Sequence, residues 1–442
     1  MRLHNLLRST ASAAVVGAVA FGFAGVASAQ STPQAGPSTV DDIIITAQKR
    51  EQNLQDVPIV VTTLSQETLE NAGVHDIKDL QILTPGMTVT STQSEASTTV
   101  RIRGVGTVGD NPGLESSVGV VIDGVYRSRN SVGFGDLGEM QRIEVLKGPQ
   151  GTLFGKNTSA GVINIITEAP SFVPGFNGEI TGGNYGQFGI AASATGPLTD
   201  TLAIRLYAAR RVRDGFYDVD TGDGPRTRTD DANQNFYTLR GQLLWLPNDS
   251  TSMRLIADFS KRDEYCCVGV QLRTGPTYPF VDGLSTGTGQ APPAAGYGVL
   301  PFSRTAYANR DTGQEIEDKG ISLEVNVDLE GFGGATLTSV TSARDWSSSL
   351  GMDVDYTGAD IVYRENDGEF GYAVKNLTQE FRLAGATDKL DWLVGLFATK
   401  EDIDRNDSWY FGADYTPFMS FLLSAGLAGG GAPFPISPST IG

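Results

Sequence analysis

Three stretches carry residue types that could do chemistry. Residues 148–161 read GPQGTLFGKNTSAG, with Lys156 directly behind Gly155. A phosphate-cradling loop of the form G-x-x-x-x-G-K-[ST] would use its backbone N–H groups, its lysine and a magnesium-holding hydroxyl. Here Gln150 stands where the first glycine is needed, and Asn157 where the hydroxyl is needed. Val162, Ile163, Ile165 and Ile166 follow, β-branched residues that favour a strand over the helix such a loop must open. The run therefore reads as a glycine-rich turn between two strands. Cys266 and Cys267 are neighbours, and a vicinal disulfide and two free thiols both stand open. His75 is the one histidine beyond residue 29, and Asp76, Asp79, Asp110, Asp123 and Glu144 are too scattered to pair as general acid and base. No catalytic set and no Cys/His metal set emerges, so the chain does not read as an enzyme and no cofactor is expected.

The bulk properties narrow the class. At 442 residues the chain exceeds one ordinary domain. Its net charge of −18 and pI near 4.5 repel phosphate backbones, which excludes a nucleic-acid partner. Residues 1–29 read as a signal peptide: Arg2 and Arg8, an apolar stretch from Ala11 to Val26, then Ala27-Ser28-Ala29 before Gln30. Beyond it no run of about 18 apolar residues occurs, so a membrane role would have to use strands.

Stepping along the chain gives the elements that position these residues. Residues 30–48 read as a flexible linker, polar at QSTPQAGPSTV and ending in DDIIITAQKR. Ile43-Ile44-Ile45-Thr46 is an isolated strand former, either the first strand of a domain or a peptide offered to a partner sheet. Residues 49–170 predict an α+β domain. VPIVVTTL reads as a strand, SQETLENAG as a helix capped by Ser65, and HDIKDLQIL as a second helix stopped by Pro85. MTVTST, TTVRIRG, SVGVVIDGVY, IEVLKG and GVINIIT read as short strands.

From 171 to 442 the texture is one of long alternating segments, such as LAIRLYAARRV and LDWLVGLFATK. Eight strands are expected, near 176–194, 202–218, 234–246, 253–265, 314–329, 335–350, 373–384 and 390–404. Short connections alternate with long polar ones, the pattern of a transmembrane β-barrel, with Trp245, Trp346, Trp392 and Tyr207 suited to its aromatic girdles. A soluble sandwich shares the alternation, but the leader and the long 265–313 connection argue against it.

Together these features resemble the TonB-dependent outer-membrane receptors. DDIIITAQKR followed by DVPIVVTTL is similar to that family's TonB box and the start of its plug. IRGVGT, VIDGVYRSR and IEVLKGPQGTLFGKNTSAGVINIIT are similar to its plug signatures, in the same order. The resemblance implies an α+β plug filling an antiparallel barrel of about 22 strands, in the outer membrane of a Gram-negative bacterium. It implies active uptake of a scarce nutrient, foremost a ferric siderophore or other iron complex, by a monomer embedded in outer-membrane lipid. Other cargoes (an oligosaccharide, cobalamin, an aromatic compound) are the alternative, and the ligand-binding residues are not assigned. TonB is the implied partner, binding Asp42, Ile43, Ile44, Ile45, Thr46 and Ala47. Arg103 and Lys147 are the implied plug residues that dock on the wall, with Glu380 as acidic partner. Eight strands fall short of the family's barrel, so a fragment or truncated receptor is expected.

Overall fold

The computed structural model describes residues 44–46, 49 and 52–427, apart from 110, 112, 128, 130–135, 223, 272–274, 276, 286–302, 331–333 and 388. The leader, most of the linker, Asp42, Ile43, Ala47 and the C-terminal GGGAPFPISPSTIG lie outside the described residues.

The plug contains strands β1 (Ile44–Ile45), β2 (Gln52–Asn53), β3 (Val60–Ser65), β4 (Met87–Ser91), β5 (Thr98–Ile102), β6 (Val118–Ile122), β7 (Val125–Arg127), β8 (Met140–Lys147) and β9 (Gly161–Thr167). Five of them form a sheet in the order β3-β8-β9-β6-β7, in which only β6 and β9 run parallel. β6 and β9 read as nearly continuous apolar runs because both of their faces are covered. Ile143, Val145, Ile163 and Ile165 are fully buried in the resulting core, each stabilising the plug by about 1.5–3 kcal/mol through its burial.

Helix α1 (Gln66–Asn71) begins as expected, with the Ser65 hydroxyl accepting from the Thr68 N–H. The expected second helix divides into a 3-10 turn, Ile77–Asp79, and α2 (Leu80–Leu83). Asp76 and Asp79 cap that turn reciprocally, which fixes its start inside the segment. The glycine run also differs from a plain turn, because it contains the single-turn helix α3 (Gly151–Phe154). Its last glycine, Gly161, has φ +155°, and a Cβ there would sit 2.3 Å from the Leu146 carbonyl oxygen.

The wall is one sheet of nine described strands, each antiparallel to the next: Gly175–Gly182, Phe188–Thr199, Leu202–Arg213, Gln234–Asn248, Thr251–Tyr265, Gly313–Leu329, Ala335–Leu350, Phe370–Thr387 and Leu390–Asp407. Nine replace the expected eight because the 176–194 segment turns back on itself. Tyr185 and Gly186 take φ of 58° and 62°, the paired positive values of a type I′ hairpin turn. Along Leu202–Arg213 the faces invert relative to a water-soluble sheet. Leu206 and Ala208 point out and are exposed, while Tyr207, Ala209 and Arg211 point in and are buried. Trp245 is half exposed, as a girdle residue should be. Trp346 and Tyr207 are not girdle residues: Trp346 faces inward against Tyr372, and the Tyr207 hydroxyl reaches plug Asp136 at 2.9 Å. No described helix is long and apolar enough to cross a membrane.

Candidate functional site at the plug base and wall

The segment expected to meet a partner is docked on the plug. Ile44 and Ile45 pair antiparallel with Asn53 and Gln52. Ile45 is fully buried among Val57, Val121, Leu146, Phe154 and Val162. Thr46 donates to the Glu144 carboxylate through its backbone N–H at 2.8 Å and through its hydroxyl at 3.1 Å. Glu144 is itself fully buried on β8, an inward carboxylate in the otherwise apolar IEVL run. Arg142 Nε at 2.8 Å and Asn164 Nδ2 at 3.0 Å also donate to it, so its oxygens are satisfied despite the burial.

Three residues further on, Lys49 Nζ reaches Glu380 Oε1 of the wall at 2.5 Å, and Arg382 Nη1 lies 3.3 Å from the same oxygen. The Lys49 ammonium also stands 5.3 Å from the Phe154 ring centroid. Burial lowers the Lys49 pKa below its ordinary value, and the Glu380 charge opposes that shift. Glu380 lies on the half of its strand toward the Thr387–Leu390 reversal, the side of the short turns.

Arg103, Lys147 and Glu380 are not brought together. Lys147 donates to the Pro85 carbonyl at 3.0 Å. Arg103 is exposed, at φ 53° with its N–H on the Gly86 carbonyl, and makes no ion pair among the described residues. Burial first, and the nearby Arg103 charge second, lower the Lys147 pKa. Glu380 instead has Lys49 as its plug partner.

Among the described residues, most plug–wall ion pairs have the opposite polarity to the expected one: basic wall, acidic plug. Arg205 pairs with Glu139 at 2.5 Å, Arg211 with Asp136 at 2.8 Å, Arg254 with Asp123 at 3.4 Å and Arg262 with Asp76 at 3.0 Å. Arg240 donates to the Leu137 carbonyl at 2.9 Å. Arg129 with Glu401 is a pair of the expected polarity, from a plug arginine outside the expected set. A signal for the wall arginines is present in the sequence: Arg205, Tyr207, Ala209 and Arg211 recur at spacing two, the inward face of one strand. Lys156 pairs with Glu115 on the plug, and that bond holds the Glu115 carboxyl below the usual carboxylate range.

Residues 53–162 match the TonB-dependent receptor plug domain. Over these residues the chain carries the plug of the TonB-dependent receptors, and beyond them it is similar to those receptors. It is 33% identical over 214 residues to the pesticin receptor of Yersinia pestis, covering 47% of this chain and 29% of that protein. It is 28% identical over 262 residues to the iron-regulated outer membrane virulence protein of Vibrio cholerae, covering 55% and 37%. Its fold matches the solved ferric yersiniabactin uptake receptor of Yersinia pestis with a TM-score of 0.62 at 21% identity, over 80% of this chain and 50% of that one. The chain thus spans well under half the length of these curated relatives. The Vibrio cholerae relative is named as an outer membrane protein, and the outward apolar residues of this chain's wall agree with a lipid surround.

Proposed function

We infer that this chain supplies the plug and leading wall of a receptor that imports a ferric siderophore or other iron complex, energised by TonB through Asp42–Ala47. The observation that carries the reading is the docked segment Ile44–Thr46. It is a short strand held by two paired residues and one carboxylate, at the end of a plug that must be moved for cargo to pass. A partner sheet that captures this segment gains backbone hydrogen bonds along an extended peptide.

Release of the segment costs the burial of Ile45, about 1.5–3 kcal/mol, and a smaller amount at Thr46. Thr46 leaving Glu144 removes two hydrogen bonds worth about 0.5–1.5 kcal/mol each, while Arg142 and Asn164 still satisfy the buried carboxylate. The next restraint is the Lys49–Glu380 pair, so tension on the tether reaches a plug–wall contact directly. The iron assignment is supported by the relatives, which are named for pesticin, for iron regulation and for ferric yersiniabactin.

The test compares growth of cells carrying or lacking the receptor on a panel of iron complexes, cobalamin and glycans. Receptor-dependent growth on an iron complex, abolished by Ile45→Pro without loss of ligand binding, is the expected result. Iron-independent expression together with growth only on a glycan would overturn the cargo, and uptake surviving Ile45→Pro would overturn the role of the segment.

A further inference from the structure

On the side of the long loops, the plug meets the wall at a pair of sulfur atoms. Cys266 and Cys267 follow the strand Thr251–Tyr265 as it leaves the sheet, and are joined to each other. One backbone bond and one side-chain acceptor fix that exit: Cys266 N–H donates to the Thr312 carbonyl at 3.0 Å, and Tyr265 N–H to Asn233 Oδ1 at 2.7 Å. Facing them is Glu95, in the plug turn between β4 and β5. Its own N–H is held by wall Gln314 Oε1 at 3.1 Å, and the next residue's carbonyl accepts from the Tyr372 hydroxyl at 2.7 Å. Cys266 Sγ lies 3.8 Å from Glu95 Oε1, and one ligand atom from each of the three residues falls within 4.8 Å of the others.

We propose that Glu95, Cys266 and Cys267 form a site for a thiophilic divalent cation of the zinc or cadmium type, opened by reduction of the Cys266–Cys267 bond, that ties plug to wall. Two thiolates and one carboxylate suit such an ion and not calcium or magnesium, which take oxygen ligands alone. Three protein ligands leave a fourth position for water. The carboxylate is already oriented: Lys78 and the Ser91 hydroxyl both bind Oε2, which leaves Oε1 toward the sulfurs. Charge enters through reduction. Glu95, Asp76 and Glu264 are matched in this pocket by Lys78, Arg262 and Arg213. Two thiolates therefore add an uncompensated negative charge, which a divalent ion reduces.

The chemistry balances. Two small-molecule thiols reduce the S–S bond, giving the two cysteine thiols and one external disulfide. The cation then binds with release of the two thiol protons. The site is independent of the uptake reading, because it requires neither cargo nor TonB.

The test uses the full chain folded in detergent micelles, titrated with cadmium before and after treatment with a phosphine reductant. The cadmium–thiolate charge-transfer band reports binding. One equivalent bound by the reduced chain and none by the oxidised chain is expected, with the band lost in Cys266→Ser/Cys267→Ser. Glu95→Gln should weaken binding by at least the roughly tenfold that loss of a supporting ligand contact costs. Glu95→Asp, which keeps the charge, gives a second reading should Glu95→Gln disturb the plug, and should bind with intermediate affinity. Absence of the band in the reduced chain overturns the site. Equal affinity in the wild type and both Glu95 variants overturns the plug's part in it.

Discussion

Lys49 and Glu380 join the segment behind the docked strand to the wall, 2.5 Å apart and both largely shielded from solvent. The pair is asymmetric, because Glu380 keeps Arg382 when Lys49 leaves, whereas Lys49 has no second carboxylate partner among the described residues. Glu380→Gln should therefore loosen residues 44–53 by about 2 kcal/mol, and Lys49→Met by under about 1 kcal/mol, since stranding a shielded charge costs more than removing it. Hydrogen exchange of that segment measures both, and equal effects would remove the asymmetry.

Glu144 holds four donors from three residues, and its loss should cost far more than the loss of any one of them. Thr46→Val, which keeps the shape and deletes one hydroxyl, should destabilise the docked strand by about 1 kcal/mol. Glu144→Ala strands Arg142, Asn164 and the Thr46 N–H together, and should cost about 3 kcal/mol or more. Urea unfolding of the micelle-folded chain distinguishes the two.

Gly161 and Gly148 bracket the glycine run and both take positive φ, yet only one is enclosed. An alanine methyl at Gly161 meets the Leu146 carbonyl oxygen, while at Gly148 it meets nothing within 4 Å. Gly161→Ala should cost about 2–3 kcal/mol and Gly148→Ala about 1 kcal/mol, read as the difference in thermal unfolding of the plug.

Glu115 is held below the usual carboxylate range by Lys156. A depressed carboxyl contributes stability above its unfolded pKa and loses it as pH falls through the folded one. Lys156→Met should thus raise hydrogen exchange around residues 113–118 near neutral pH. The difference from wild type should vanish between about pH 4.5 and the folded pKa below it. A difference that persisted in stronger acid would assign the effect to packing.

Where one residue type dictates local geometry, the sequence was readable. Ser65 announced α1, the apolar runs announced β6 and β9, and alternation announced the wall. Tyr185 hid the first hairpin, because a bulky residue at positive φ does not advertise a turn as Asn would. Glu144 read as one scattered acid because its partners Thr46 and Asn164 lie 98 and 20 residues away. Trp346 and Tyr207 were misread for a similar reason: aromatic type says little about which face of a strand a residue occupies, whereas position parity does.

The wall arginines also tie the register of their strands to the plug. Arg205 and Arg211 share a face with Tyr207, and Arg240 and Arg254 likewise meet the plug. Slippage of Leu202–Arg213 by a single residue would turn Arg205 and Arg211 out into hydrocarbon, at roughly 2–4 kcal/mol for each one near the bilayer midplane. The cost of a one-residue slip in this strand would thus be set by the surround of the sheet as well as by lost contacts to the plug.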